Sequence, residues 1–165
     1  MSLIPSQGHK AAAINLGGSA TQASSSLARM MGCREGTPVI LQRGMSVLND
    51  RKVCYEEMYL LMDALPKFLD IEYEPPLTDF LARRFGFRAK QIGFRARPTN
   101  LYGAIAENLD VRKGTHGIFI TRIKAKDGMT VWVDREYWLA DVLEIVIGKF
   151  PQKPEFDTGS ANNSI

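Results

Sequence analysis

Two cysteines and two histidines in 165 residues leave little material for metal or redox chemistry. Cys33 and Cys54 form no CxxC pair, and only His9 and His116 stand beside them, so neither a disulfide framework nor a zinc site is signalled. The cysteines read as reduced packing residues. Nucleophile triads are missing as well, since His9 lies in the polar lead and His116 in the turn that opens a strand. With no Walker loop and no GxGxxG, no catalytic residue, cofactor or metal is assigned, and any enzyme built here would work by positioning and electrostatics. Long apolar runs are equally scarce. The longest, VLEIVIG near the C-terminus, falls far below the roughly 20 residues that cross a bilayer, and MSLIPSQGHK lacks the apolar core of a signal peptide. No membrane contact and a cytoplasmic location are expected. A net charge of +3 is too mild to diagnose nucleic-acid binding.

What is present is a core and a repeat. A composition of 45% hydrophobic and 24% charged residues suits one well-cored domain. Residues 34–61, REGTPVILQRGMSVLNDRKVCYEEMYLL, are written again at 112–139 as RKGTHGIFITRIKAKDGMTVWVDREYWL. Arg34, Gly36 and Thr37 meet Arg112, Gly114 and Thr115 at an offset of 78. One extra residue before Arg122 and one fewer in the next turn align Arg43 with Arg122 and restore the offset, so that Glu56 meets Asp134 and Tyr59 meets Tyr137. Two copies imply one pseudo-symmetric domain, an α+β unit in which a helix and a hairpin are duplicated.

Along the chain, residues 1–18 read as a tail or a single edge strand, 19–148 as the domain, and 149–165 as a loose polar tail. Ser19 is expected to cap a helix carrying Ala23, Leu27, Met30 and Met31, with Gly32 as its stop. Strands follow at 38–48 and 52–61 around an Asn49-Asp50 turn. Alternation puts Val39, Leu41, Arg43 and Met45 on one face, and sets Glu56 with Cys54, Met58 and Leu60. Asp63 is expected to cap a short helix, ALPKFLD. A second helix carries Leu77, Phe80, Leu81 and Phe85, starts after Pro75-Pro76 and ends at Gly86. Residues 87–97 alternate as a strand, with Ile92, Phe94 and Ala96 opposed to Gln91, Gly93, Arg95 and Arg97. Thr99 is expected to cap a helix with Leu101, Ile105 and Leu109. A last strand is expected over 142–147.

Chemistry gathers on the hairpins. Arg43 with Glu56, and Arg122 with Asp134, read either as cross-strand ion pairs or as two halves of one concave ligand site. Tyr137 and Trp138 stand near a strand rim, where one of them would stack on a ligand or pack in the core. Arg95 and Arg97, leading into the helix expected at Thr99, would form an anion site or a charge-protected strand edge. The interleaved Phe85, Phe87 and Phe94 invite a nucleic-acid reading of the basic run 83–97. Phe85 belongs to a helix seam and Phe94 faces away from Arg95, which argues against it.

The order ARMMGCREGTPVILQRGMSVLNDRKVCYEEMYLL, PKFLD, PPLTDFLARRFGF, then AIAENLDVRKGTHGIFITRIKAKDGMTVWVDREYWLAD resembles the UTRA domain, the ligand-sensing half of HutC-type GntR-family transcriptional regulators, over residues 28–147. The resemblance implies a chorismate-lyase-like antiparallel sheet of about six strands with flanking helices. It matches Arg43, Glu56, Asp134 and Tyr137 to the family's effector contacts. Together with Arg95, Arg97, Thr99 and Arg122, these form the expected effector-binding set. Met45 departs from a second arginine found in some sugar-phosphate sensors, and Leu139-Ala140-Asp141 departs from an arginine-containing turn. The implied protein is a non-enzymatic sensor and homodimer for a small anionic or polar metabolite, touching DNA only through a winged helix-turn-helix not read in these residues. The alternatives are a chorismate-lyase-type enzyme and a stand-alone dimerisation partner of full-length regulators.

Overall fold

The hairpin strands of the domain are long and carry many apolar, β-branched and aromatic residues, and each tight turn carries residues that tolerate left-handed backbone. The computed structural model describes residues 10–148. In chain order it contains β1 (Ala11–Gln22), α1 (Ser25–Met31), β2 (Pro38–Leu48), β3 (Arg51–Leu61), α2 (Leu77–Phe85), β4 (Lys90–Leu101), α3 (Gly103–Asn108), β5 (Thr115–Lys126) and β6 (Met129–Leu139). The hairpin turns are Asn49-Asp50 (φ 48° and 64°) and Asp127-Gly128 (φ 52° and 77°), the double left-handed geometry that matches strand twist.

All six strands form one antiparallel sheet in the order β1-β2-β3-β6-β5-β4. The order is a palindrome of the repeat. The duplicated unit is therefore strand, helix and hairpin, one element longer than the sequence comparison indicates, with the two copies joined along β3 and β6. Adding 78 to each residue of the first hairpin's pairs gives the second's: Val39–Leu61 becomes Gly117–Leu139, and Gly44–Glu56 becomes Arg122–Asp134. Glu57 and its equivalent Arg135 face each other across β3 and β6, so the pseudo-twofold axis passes between them.

Both faces are covered, unequally. On one face α1 packs Leu27, Ala28 and Met31 against Val39 and Val133, while α3 packs Ala106 and the adjacent Leu109 against Met45, Tyr55, Leu101 and Leu139. On the other, α2 and the segment before it bring Leu65, Phe68, Tyr73, Leu77 and Leu81 onto Ile40, Met58, Leu60 and Trp132. That second cover reaches only part of the sheet. The rest of the face is concave and holds the site.

Several sequence expectations are corrected. Ser19 lies in β1, and Ser24 caps α1 by accepting from the Leu27 amide at 3.3 Å, with Gly32 (φ 64°) closing it as expected. Residues 11–18 join the sheet as part of edge strand β1, one of the two readings the sequence allowed. No helix forms over ALPKFLD: Asp63 lies inside a 3-10 turn, Met62–Ala64, and a second turn follows at Phe68–Asp70, since Pro66 has no amide to continue a helix. Thr99 sits within β4, which runs on to Leu101, and Tyr102 precedes α3. A bulge between Gln91 and Gly93 turns Gln91 onto the face of Phe94. Residues 142–147 form no strand. β6 has neighbours on both sides, so the chain leaving Leu139 has no open ladder to join. The tail expected over 149–165 and residues 1–9 lie outside the described residues.

The glycine that stands tightest against neighbouring backbone is Gly117. A Cβ there would meet the Trp138 carbonyl oxygen at 2.7 Å and Leu101 Cδ2 at 2.9 Å. Gly117→Ala should therefore destabilise the domain by about 1–3 kcal/mol in urea unfolding, while Ile92→Thr, 64% exposed on the bulge, should stay within about 0.5 kcal/mol.

Candidate functional site

Beneath the open part of that face is a cavity of about 810 Å³. Its floor is made of alternate residues of four strands: Gly44 and Ser46 of β2, Glu56 and Met58 of β3, Trp132, Asp134, Glu136 and Trp138 of β6, Arg122 and Lys124 of β5. Gln91 closes one side, and the segment from Tyr73 to Thr78 forms a wall. The volume is that of an ordinary small-molecule pocket.

Three acids and two bases share this floor. Arg122 donates from Nε to Glu136 Oε1 at 2.5 Å and from Nη1 to Gln91 Oε1 at 3.1 Å, with its guanidinium 5.1 Å above the Phe94 ring. Trp138 Nε1 donates to the other Glu136 oxygen at 2.7 Å. Lys124 Nζ pairs with Asp134 Oδ2 at 2.7 Å and stands 3.7 Å from the Trp132 ring centre, while Trp132 Nε1 donates to Asp134 Oδ1. Each base is thus committed to one acid, and each acid is finished by a tryptophan. Burial makes these partnerships obligatory, since a buried charge stripped of its partner costs about 3–5 kcal/mol.

Glu56 is the exception. It faces Glu136 directly across β3 and β6, and among the described residues its one side-chain hydrogen bond is accepted at Oε1 from Ser46 Oγ at 3.2 Å. Among the described residues it makes no ion pair. A Cβ on Gly44 would stand 3.8 Å from Glu56 Oε2 and 3.3 Å from Met58 Cε, so a larger residue there would crowd the carboxylate where it lines the cavity. Burial, then the charges of Glu136 and Asp134, push the Glu56 carboxyl up to about 7. Burial also raises Asp134 despite its lysine. Cys54, wholly buried next door, has its thiol pushed up too and is no nucleophile at neutral pH. Among the described residues no group of three or more His, Cys, Asp or Glu is arranged to hold a metal ion.

Of the residues expected from the sequence, Glu56, Arg122 and Asp134 meet in the cavity. Arg43 does not. A bulge between Ser46 and Val47 on β2, opposite the extra Val53 of β3, shifts the ladder so that Arg43 faces Glu57 on the other side of the sheet. Tyr137 shares that side, its ring 4.8 Å from Phe119 and 6.4 Å from Tyr55. Arg95 and Arg97 are exposed there too, opposite Thr121 and Phe119, with Arg97 5.0 Å above the Phe119 ring. Thr99, lying mid-strand, builds no helix-terminus anion site with them. Arg122 and Asp134 are direct ladder partners, yet each forms its ion pair diagonally, with Glu136 and Lys124. The residues not anticipated are Ser46, Lys124, Glu136 and Trp132. Their signal was the i, i+2 spacing of Arg122/Lys124 and of Asp134/Glu136, which puts two bases and two acids on one sheet face.

The raised Glu56 carboxyl sets a pH dependence. Its ordinary value of 4.5 becomes about 7 on folding, so the native state holds the proton more tightly than the unfolded chain. The cost is absent below 4.5, grows as pH rises through that window, and is complete above about 7, where it reaches roughly 3 kcal/mol. Glu56→Gln should therefore raise unfolding stability by about 2–3 kcal/mol near pH 8 and change it little near pH 4.5, as read by urea titration at both. Equal effects at the two pH values would show that the carboxyl is not perturbed.

The same architecture recurs in solved structures. PhnF from Mycobacterium smegmatis superposes with a TM-score of 0.77 at 18% identity, over 88% of this chain and 65% of that one. The ligand-binding domain assigned to a GntR-family transcriptional regulator of Bordetella bronchiseptica gives 0.76 at 21% identity, over 90% and 96%. A GntR-family transcriptional regulator from Enterococcus faecalis V583 gives 0.70 at 13%, over 84% and 100%. The chain thus spans about two thirds of the PhnF structure and nearly all of the other two. At these identities the likeness establishes the fold, an α+β architecture of the UTRA and chorismate-lyase kind. No curated protein matches the sequence. The UTRA domain, however, matches residues 6–144, the greater part of the chain, and the chain belongs to the UTRA domain family.

Proposed function

We propose that this domain is the effector-binding unit of a GntR-type regulator of the HutC kind, with the 810 Å³ cavity as its ligand site. The observation that carries the proposal is the set of fixed, desolvated charges on the cavity floor. Two ion pairs and two tryptophan N–H donors are locked before any ligand arrives, and such preorganised polar groups give orientation and specificity in a pocket. The ligand would be a small polar molecule.

Binding there would matter by shifting a conformational equilibrium. A ligand changes the population of two states only through its differential affinity for them. The Tyr73–Thr78 wall and β1 are anchored to the sheet at Asn15, whose Nδ2 donates to the Tyr73 carbonyl at 3.2 Å and whose Oδ1 accepts from Gln42 Nε2 at 2.7 Å. A ligand lifting or drawing in that wall would reach β1 through this bond. A homodimer acting in the cytoplasm, with DNA contacted by a winged helix-turn-helix outside the described residues, would carry the change to an operator. No described helix is long and apolar enough to cross a membrane.

Lyase chemistry on chorismate would call for a cation free to hold the substrate's carboxylates, and here both cavity cations are already engaged. Sensing without turnover fits better.

Thermal-shift screening against a panel of sugars, amino acids, amines and carboxylates should find members that stabilise the protein and are recovered unchanged. Ser46→Trp, which fills the cavity, should weaken their binding at least tenfold, whereas Arg43→Ala on the opposite face should leave it within about twofold. No stabilising member, or stabilisation that Ser46→Trp leaves intact, would overturn the assignment. Pyruvate released from chorismate would overturn sensing in favour of catalysis.

A further inference from the structure

The polar cavity has a neighbour. A second space of about 410 Å³ is bounded mainly by apolar residues, among them Ala11, Val47, Leu48, Val53 and Val142, with Glu144 the one charged residue of its described lining. Ser46 and Trp138 line both spaces and stand at the seam between them. Each is hydrogen-bonded to an acid on the polar side: Ser46 to Glu56 and Trp138 to Glu136. The two acids at the seam differ in what covers them. Glu136 is matched by Arg122 and the Trp138 N–H, whereas Glu56 has a single hydroxyl.

From this geometry we infer that the effector is an amphipathic amine, its protonated nitrogen seated on Glu56 and its apolar portion lying in the adjoining chamber. This rests on the cavity being the effector site and names the chemistry that it selects. Three features of the site converge. Arg122 and Lys124 are each within 2.7 Å of a carboxylate oxygen, so an incoming anion would have to break a buried pair to be held. With all five groups charged, the floor carries one negative charge in excess, and that excess is located at Glu56. Glu56 lines the cavity beside Gly44 and Met58, and a cation entering there would complete the pattern that Arg122 and Lys124 set for the other two acids. Chamber and carboxylate together ask for a molecule with one cationic end and one apolar end.

The other titratable groups around Glu56 are consistent. Asp134 and Glu136 raise its proton affinity, Lys124 lowers it, and Tyr73 faces it from the wall segment. An amine reaching a carboxyl that titrates near neutrality would displace its proton. Binding should then release a proton where Glu56 is protonated, and little at a pH where it is already ionised.

A matched trio of probes tests this: 2-phenylethylamine, 2-phenylethanol and phenylacetate, which share a ring and differ in charge. Calorimetric titration at about pH 7 should show the amine binding at least tenfold more tightly than the alcohol, with phenylacetate weakest. Repeating the amine titration in buffers of different ionisation heat should reveal a released fraction of a proton that shrinks toward pH 8.5. Glu56→Gln should lose at least tenfold in amine affinity and leave the alcohol unchanged. Val47→Trp, filling the apolar chamber, should weaken the amine while sparing methylammonium. Tighter binding of phenylacetate, or an amine affinity indifferent to Glu56→Gln, would overturn the inference. If the alcohol or the acid binds in a way Ser46→Trp abolishes while the amine is silent, the cavity remains an effector site and only the amine assignment fails. If no probe and no member of the metabolite panel binds, both fail.

Discussion

The ladder between β3 and β6 is the constraint on which the rest depends, because it joins two copies of one unit about an axis through Glu57 and Arg135. Once that seam is fixed, the pleat decides what each face presents. Residues at the register of Glu57 and Arg135 point toward α1 and α3, and their neighbours point into the cavity. Moving either strand by one residue would exchange the two sets, turning aromatic rings into the cavity and carboxylates under the helices. Two bulges hold the register. One lies at Val53 opposite β2 and the other at Val131 opposite β5, again 78 residues apart. Without the second, the two-residue turn would set Arg122 opposite Val133 instead of Asp134.

Duplication in this fold gives equivalent backbone positions and unequal chemistry. Gly44 occupies the place of Arg122, Ser46 that of Lys124, Met58 that of Glu136, and Glu56 that of Asp134. The second copy therefore supplies a self-neutralised wall of two ion pairs, and the first supplies a bare acid beside a glycine and a hydroxyl. A symmetric site would suit a symmetric ligand or a metal. This one has a closed side and an open side.

Most of the fold was legible because its signals are local. The two-residue turns, the Gly32 and Gly86 helix stops, strand alternation and the repeat itself all depend on short spacings. What failed was counting across a bulge. Reading the Asn49-Asp50 turn as an uninterrupted hairpin sets Arg43 opposite Glu56, and the extra Val53 sets it opposite Glu57. Matching Arg43 to Arg122 by residue type made the same one-residue slip, where the constant offset would have found Gly44. Thr99 and Ser19 were misassigned as helix caps for a related reason. Both are good caps by residue type, yet each lies inside a 12-residue edge strand whose ladder outweighs a single capping bond.

The register also separates the two kinds of arginine in the chain. Arg43, Arg95, Arg97 and Arg135 lie on the face of α1 and α3, partly or fully open to water, and two of them stand over aromatic rings, Arg97 over Phe119 and Arg135 over Tyr59. Arg122 is buried, 5.1 Å over the Phe94 ring centre, and fixed by three acceptor atoms on Glu136 and Gln91. An exposed arginine can swing toward an incoming anion at small cost. Arg122 cannot turn without abandoning a buried carboxylate, so its role is to hold Glu136 in place. The negative potential of the cavity is then left to Glu56, the one acid whose position in the repeat gave it no base.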